Sequence, residues 1–163
     1  MTNKNWITKR IIPRLPFGEN GEGWGEIAEA NLQKINTEKS SIIFRKEYTF
    51  AEAPAEAKIK ICGLGFYHLY IDGVKVGNYS LSPLETAYRK LALYDEFDVT
   101  SLLSAGTHTV AVELGNARFS TPKKYWGWRA AYYGDPCLAF EMAVAYANGK
   151  SEEYVCDSSW KCS

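Results

Sequence analysis

The sequence predicts an all-β domain: an antiparallel β-sandwich of the jelly-roll kind with an irregular N-terminal arm. Three observations predict it. Apolar and polar residues alternate with a period of two from Ile42 onward. Asp-Gly and Asn-Gly turn signals punctuate that alternation. No helical pattern alternates with the strands, as a parallel sheet would require. A chain of 163 residues suits one domain of ordinary size.

Residues 1–41 read as the arm. Pro13, Pro16, Gly18, Gly21, Gly23 and Gly25 interrupt regular structure there. One short helix is expected from Trp24 to about Ile35, where Ile27, Ala28, Leu32 and Ile35 share a face. The sandwich is expected over 42–163. Ile42, Phe44, Tyr48 and Phe50 alternate with Arg45, Glu47 and Thr49. Ile59 and Ile61 mark the next strand, and Gly63-Leu64-Gly65 turns the chain into Phe66–Ile71. Asp72-Gly73 predicts a two-residue hairpin with a short return at Lys75-Val76. Leu91, Leu93, Phe97 and Val99 are expected to form another strand. A helical turn is expected over Thr100–Ser104, capped by Asp98 or Thr100 and stopped by Gly106. Val110, Val112 and Leu114 then alternate with polar neighbours. Leu138, Phe140, Met142, Val144 and Tyr146 give the clearest alternation, followed by Asn148-Gly149 and a return at Glu153–Val155. That makes about eight strands. Trp160–Ser163 still alternates at the end of the sequence, whereas chain ends are commonly polar and frayed, so a fragment of a longer protein is expected.

Lys plus Arg and Asp plus Glu number 19 each, so the net charge is zero. That argues against a nucleic-acid partner and gives no attraction to an anionic membrane surface. No apolar run reaches the length of a membrane-spanning helix. The polar start, Met1–Trp6, lacks a signal-peptide core. A cytoplasmic location is expected if that start is native, and a periplasmic or extracellular one if a signal has been removed. Cys62, Cys137, Cys156 and Cys162 show no C-x-x-C spacing. Cys62 and Cys137 read as buried apolar side chains, and a Cys156–Cys162 disulfide is compatible with an oxidising compartment.

From Phe44-Arg45-Lys46-Glu47-Tyr48 onward, an ordered series of short segments resembles the N-terminal domain of bacterial α-L-rhamnosidases. The series includes Gly63-Leu64-Gly65, Leu69–Gly77, Leu81-Ser82-Pro83, Thr86–Lys90 and Leu93-Tyr94. It continues through Asp98-Val99-Thr100, Glu113–Asn116, Tyr133–Pro136, Tyr146–Gly149 and Ser159-Trp160-Lys161. The resemblance covers about residues 42–163 and rests on the order and spacing of all the pieces. It implies a non-catalytic, carbohydrate-binding-like module of a longer glycoside hydrolase, whose catalytic acids lie in a separate helical barrel. The partners it implies are the catalytic domain of the same parent chain and rhamnose-containing glycans. Two stretches depart from the family pattern. Leu84-Glu85-Thr86-Ala87-Tyr88 stands where the family usually reads Gly-Trp-Thr-Asp-Tyr. Ala117-Arg118-Phe119-Ser120 replaces a glycine followed by aromatics.

The aromatic run Tyr125–Tyr133 is the densest in the chain. Sugar C–H faces pack on aromatic rings while Arg and carboxylates take the hydroxyls. The candidate sugar-binding residues are therefore Trp126, Trp128, Arg129 and Tyr132, with Asp135, Glu85 and Asn116 alongside. The same rings also suit packing or docking, the commoner use of an aromatic patch. Glycoside hydrolysis needs two facing carboxyl groups. Asp95, Glu96 and Asp98 lie too close along one strand to face each other, so no catalytic residue is assigned. No metal ligand is assigned either. Some relatives bind rhamnose through calcium on such a domain, yet Asn116, Glu85 and Asp135 have no calcium-loop spacing. His68 and His108 read as structural histidines, and Gly63-Leu64-Gly65, followed by a strand, as a turn.

Overall fold

A computed structural model describes residues 6–9, 41–88, 90–120 and 135–163. The helix expected over Trp24–Ile35 lies outside them. Among the described residues, ten strands form two antiparallel sheets. They are β1 (Trp6–Thr8), β2 (Ile42–Phe50), β3 (Glu56–Leu64), β4 (Tyr67–Ile71) and β5 (Val74–Val76), then β6 (Asp95–Asp98), β7 (Gly106–Leu114), β8 (Cys137–Ala145), β9 (Ser151–Val155) and β10 (Lys161–Cys162). One sheet runs β1-β8-β3-β6, with β9 also on β8, and the other runs β10-β2-β7-β4-β5. The antiparallel β-sandwich expected from the alternation is present. Among the described residues the only helical element is a 3-10 turn at Thr100–Leu102, where Asp98 Oδ1 accepts from the Thr100 N–H at 3.0 Å.

The period of two puts each strand's apolar set on one face. Ile59 pairs with Met142, Ile61 with Phe140 and Ala57 with Val144 across β3 and β8. Phe44 pairs with Val112 and Ile42 with Leu114 across β2 and β7, and Leu69 with Val112 across β4 and β7. All of these are buried and form one core between the sheets. Burying a side chain of this size contributes about 1.5–3 kcal/mol. Trp160 closes the core edge-on against Phe140, with ring centroids 5.1 Å apart. Tyr48 meets Tyr154 likewise at 5.0 Å.

Three details differ from the sequence reading. The strand expected through Leu91, Leu93, Phe97 and Val99 shrinks to Asp95–Asp98, whose pairing with β3 runs only from Asp95–Ile61 to Asp98–Lys58, and at Asp95 the side chain is tied to Tyr67 and Ser82 instead. Leu91 and Leu93 stay outside it and exposed. Trp6–Thr8 forms a strand on β8, at Ala139, Leu138 and Cys137, although three residues carry no periodic signal. All four cysteines are free thiols; Cys156 is buried and Cys162 exposed, so the bridge weighed between them is not formed.

The strand directions sort the connections between two ends. The Asp72-Gly73 and Asn148-Gly149 hairpins, the β2–β3 turn and the 3-10 turn gather at one end. At Asp72 and Gly73, φ values of 50° and 81° match the paired positive angles of a tight hairpin. The β3–β4 turn, the β5–β6 connection and both flanks of the β7–β8 connection gather at the other.

Candidate functional site

Three of the sequence-derived candidates fall at the loop end, the one that carries the β5–β6 connection. Glu85 sits in the β5–β6 connection, Asn116 just after β7 and Asp135 just before β8. Trp126, Trp128, Arg129 and Tyr132 lie outside the described residues.

A carboxylate anchors the base of the β5–β6 connection. Asp95 Oδ2 accepts from the Tyr67 hydroxyl at 2.6 Å and the Ser82 hydroxyl at 2.5 Å. Tyr67 N–H donates to the Ser82 carbonyl at 3.0 Å, so both legs of the connection are tied to the start of β4. Burial raises the Tyr67 hydroxyl pKa, and its bond to Asp95 adds to the shift. Asp95 thus serves as an anchor. At the tip, Thr86 Oγ1 donates to the Leu91 carbonyl, folding the segment back on itself.

The two stretches that depart from the family pattern meet each other. Glu85 Oε2 and Arg118 Nη1 form an ion pair at 3.3 Å. Tyr88 packs edge-on against Phe119, with centroids 5.2 Å apart. Asn116 supplies its carbonyl to the Ser120 N–H at 3.1 Å, closing a tight turn after β7. Sequence reasoning placed Glu85 and Asn116 at the site but missed Arg118 and Phe119 as partners. Only the pairing of two departures from one pattern pointed to them.

Three further acids are also committed locally. Asp98 caps the 3-10 turn, Glu96 faces Lys60 at 3.9 Å, and Asp72 accepts from His108 Nδ1–H at 2.6 Å and the Thr109 N–H at 2.7 Å. Glu96 and Asp98 share the outer face, opposite Lys60 and Lys58, while Asp95 points inward. A shallow depression of about 390 Å³ lies on the outer face toward the hairpin end, lined by Glu56, Lys58, Ala143, Ala145, Ser151 and Glu153. Its Glu56 is paired with Lys58 at 2.5 Å, and no aromatic ring lines it. Calcium fits poorly at Glu85, because the Arg118 guanidinium already holds that carboxylate. Among the described residues, no group of three or more His, Cys, Asp or Glu is placed to hold a metal ion.

Comparison with known proteins decides the family. Residues 52–163 match the alpha-L-rhamnosidase N-terminal domain. The chain belongs to that family. This rhamnosidase N-terminal domain is 30% identical over 125 residues to an alpha-L-rhamnosidase of Formosa agariphila, covering 72% of the chain and 13% of that relative. It is also similar to the native rhamnosidase of Aspergillus terreus, with a TM-score of 0.71 at 31% identity over 76% of the chain and 14% of the fungal chain. The rhamnosidase of Streptomyces avermitilis complexed with L-rhamnose gives a TM-score of 0.70 at 26% identity, over 76% of this chain and 12% of that one. The domain therefore spans about an eighth of the length of such relatives.

Proposed function

We propose that this domain is a non-catalytic accessory module of an α-L-rhamnosidase-like glycoside hydrolase. It supports the catalytic domain of the same parent chain and contacts rhamnose-containing glycans. The observation that carries this reading is the match over 52–163 to an N-terminal domain that occupies only about an eighth of whole rhamnosidases. The local engagement of Asp95, Glu85, Glu96, Asp98 and Asp72 adds support, since hydrolysis needs two carboxyl groups free to face each other across a cleft.

The test has two arms. With an aryl α-L-rhamnoside, the whole polypeptide turns over while residues 1–163 alone release no aryl product. Turnover by the isolated domain would refute the accessory role. In the second arm, L-rhamnose is titrated into the domain while tryptophan fluorescence is followed. A saturable change at millimolar sugar supports glycan contact. A flat signal removes it and leaves the purely structural, interdomain-docking role.

A further inference from the structure

Among the described residues, the large apolar side chains left in solvent are concentrated in one place. Of the large hydrophobic side chains that stand exposed, Tyr79, Leu81, Leu84, Leu91, Leu93 and Tyr94 all belong to the β5–β6 connection. Leu84 is the most open at 74%, and Leu81 follows at 66%. Single exposed leucines need no explanation, but six large apolar side chains in one connection do. Together they expose on the order of several hundred Å² within that one connection.

The connection is also held in shape. Leu81 adjoins Ser82 and Tyr94 adjoins Asp95, and the Ser82–Asp95 bond at 2.5 Å brings those two legs together. The Thr86–Leu91 bond closes the tip, with Leu84 and Leu91 on opposite legs. The Tyr88–Phe119 contact fixes the tip to the segment after β7. Apolar groups are thus displayed on an anchored projection, so little ordering entropy opposes binding there.

The chemistry separates the occupants. Four of the six are leucines, which offer no hydrogen bonds to sugar hydroxyls; only Tyr79 and Tyr94 carry the ring and hydroxyl that suit a sugar, and the neighbouring carboxylate Glu85 is already paired with Arg118. The connection as a whole favours an apolar protein surface over a glycan. A second copy would have to be recruited from solution. The rest of a parent polypeptide, seven-eighths of a relative's length by the shares above, is held at millimolar effective concentration by its covalent link.

The geometry points to the β5–β6 connection as the surface on which this domain docks against the part of its parent polypeptide that follows residue 163. The inference rests on the accessory-module reading and deepens it by naming the contact.

The experiment uses the whole polypeptide with a photo-crosslinking residue, Leu84→p-benzoylphenylalanine. Val74, exposed at the opposite end, carries the same residue as control. Peptide mapping after irradiation is expected to join position 84 to residues beyond Ser163 at least tenfold more than position 74. Crosslinks confined to residues 1–163, crosslinks to a second copy, or none at all would overturn the docking surface. Turnover of an aryl α-L-rhamnoside is measured on the same samples. Crosslinking without turnover sinks the rhamnosidase reading alone, and turnover without crosslinking sinks the docking surface alone.

Discussion

Gly65 passes so close to Gly115 that a β-carbon on Gly65 would sit 2.0 Å from the Gly115 carbonyl oxygen. The contact joins the β3–β4 turn to the end of β7, and the Gly115 N–H donates to the Phe66 carbonyl beside it at 2.9 Å. Gly65 also holds φ at +137°, where side chains are strained. Gly65→Ala therefore meets backbone as well as backbone strain. A loss of about 3 kcal/mol or more is expected, read as a lowered urea midpoint. Gly73→Ala, also at positive φ but with nothing within 4 Å, is expected to cost much less. Equal midpoints for the two variants would show that the close approach does not matter.

Asp95 is expected to act as an anchor for the whole β5–β6 connection. Asp95→Ala leaves the Tyr67 and Ser82 hydroxyls without their acceptor, at about 1–3 kcal/mol for a buried polar group. Limited trypsin digestion at Lys90 should then accelerate by at least tenfold, while Asp95→Asn, which keeps one acceptor oxygen, falls between. An unchanged cleavage rate in Asp95→Ala would mean that other contacts hold the connection.

These two sites differ in how far the sequence discloses them. The core strands were legible because Ile59, Ile61, Phe140 and Met142 repeat at the period of a pleat, and the Asp72 hairpin because its turn chemistry is local. The failure at Leu91 and Leu93 has a physical cause. Alternation predicts a strand, but a strand also needs pairing, and the pairing with β3 stops at Asp95, where Tyr67 and Ser82 hold the side chain. The same holds at the loop end. Glu85 was legible as a candidate, but its engagement by Arg118, 33 residues on, depends on a loop-to-loop approach that no local pattern encodes.

The thiols should separate cleanly by reactivity. Burial pushes the pKa of Cys62, Cys137 and Cys156 up to about 12, with Asp95 adding to the effect at Cys62. The thiolate is the reactive form, so charge state protects all three at neutral pH, and burial protects Cys62 and Cys156 further, while Cys137 is half-buried. Cys162 is exposed on the edge strand β10. With a thiol-specific reagent at pH 7.5, one cysteine per chain is expected to react within minutes, and four after denaturation. Rapid labelling of Cys62 in the folded domain would show that it opens locally.

Acid should destabilise the domain through its committed carboxylates. Asp72 is held below its ordinary range, first by the Thr109 N–H and then by the bond and charge of His108. The Ser159 hydroxyl lowers Asp157, with Lys46 assisting, and the Thr100 hydroxyl and N–H lower Asp98. Bonds from Lys150, Tyr154 and Tyr146 bring Glu152 down to about 2. A carboxylate whose folded pKa is depressed stabilises the fold fully above its unfolded pKa of about 4, and loses that contribution as pH falls through the folded value. The urea midpoint is therefore expected to hold from pH 7 to 5 and to drop from about pH 4.5 toward pH 2. Asp72→Asn keeps a residue that tolerates positive φ and one acceptor oxygen for the Thr109 N–H, and removes the charge together with the acceptor for His108 Nδ1–H. It should cost less than about 1 kcal/mol at pH 7, because the group is largely exposed, and the variant should converge with wild type near pH 2. A gap between the two that widens in acid would contradict this account of Asp72.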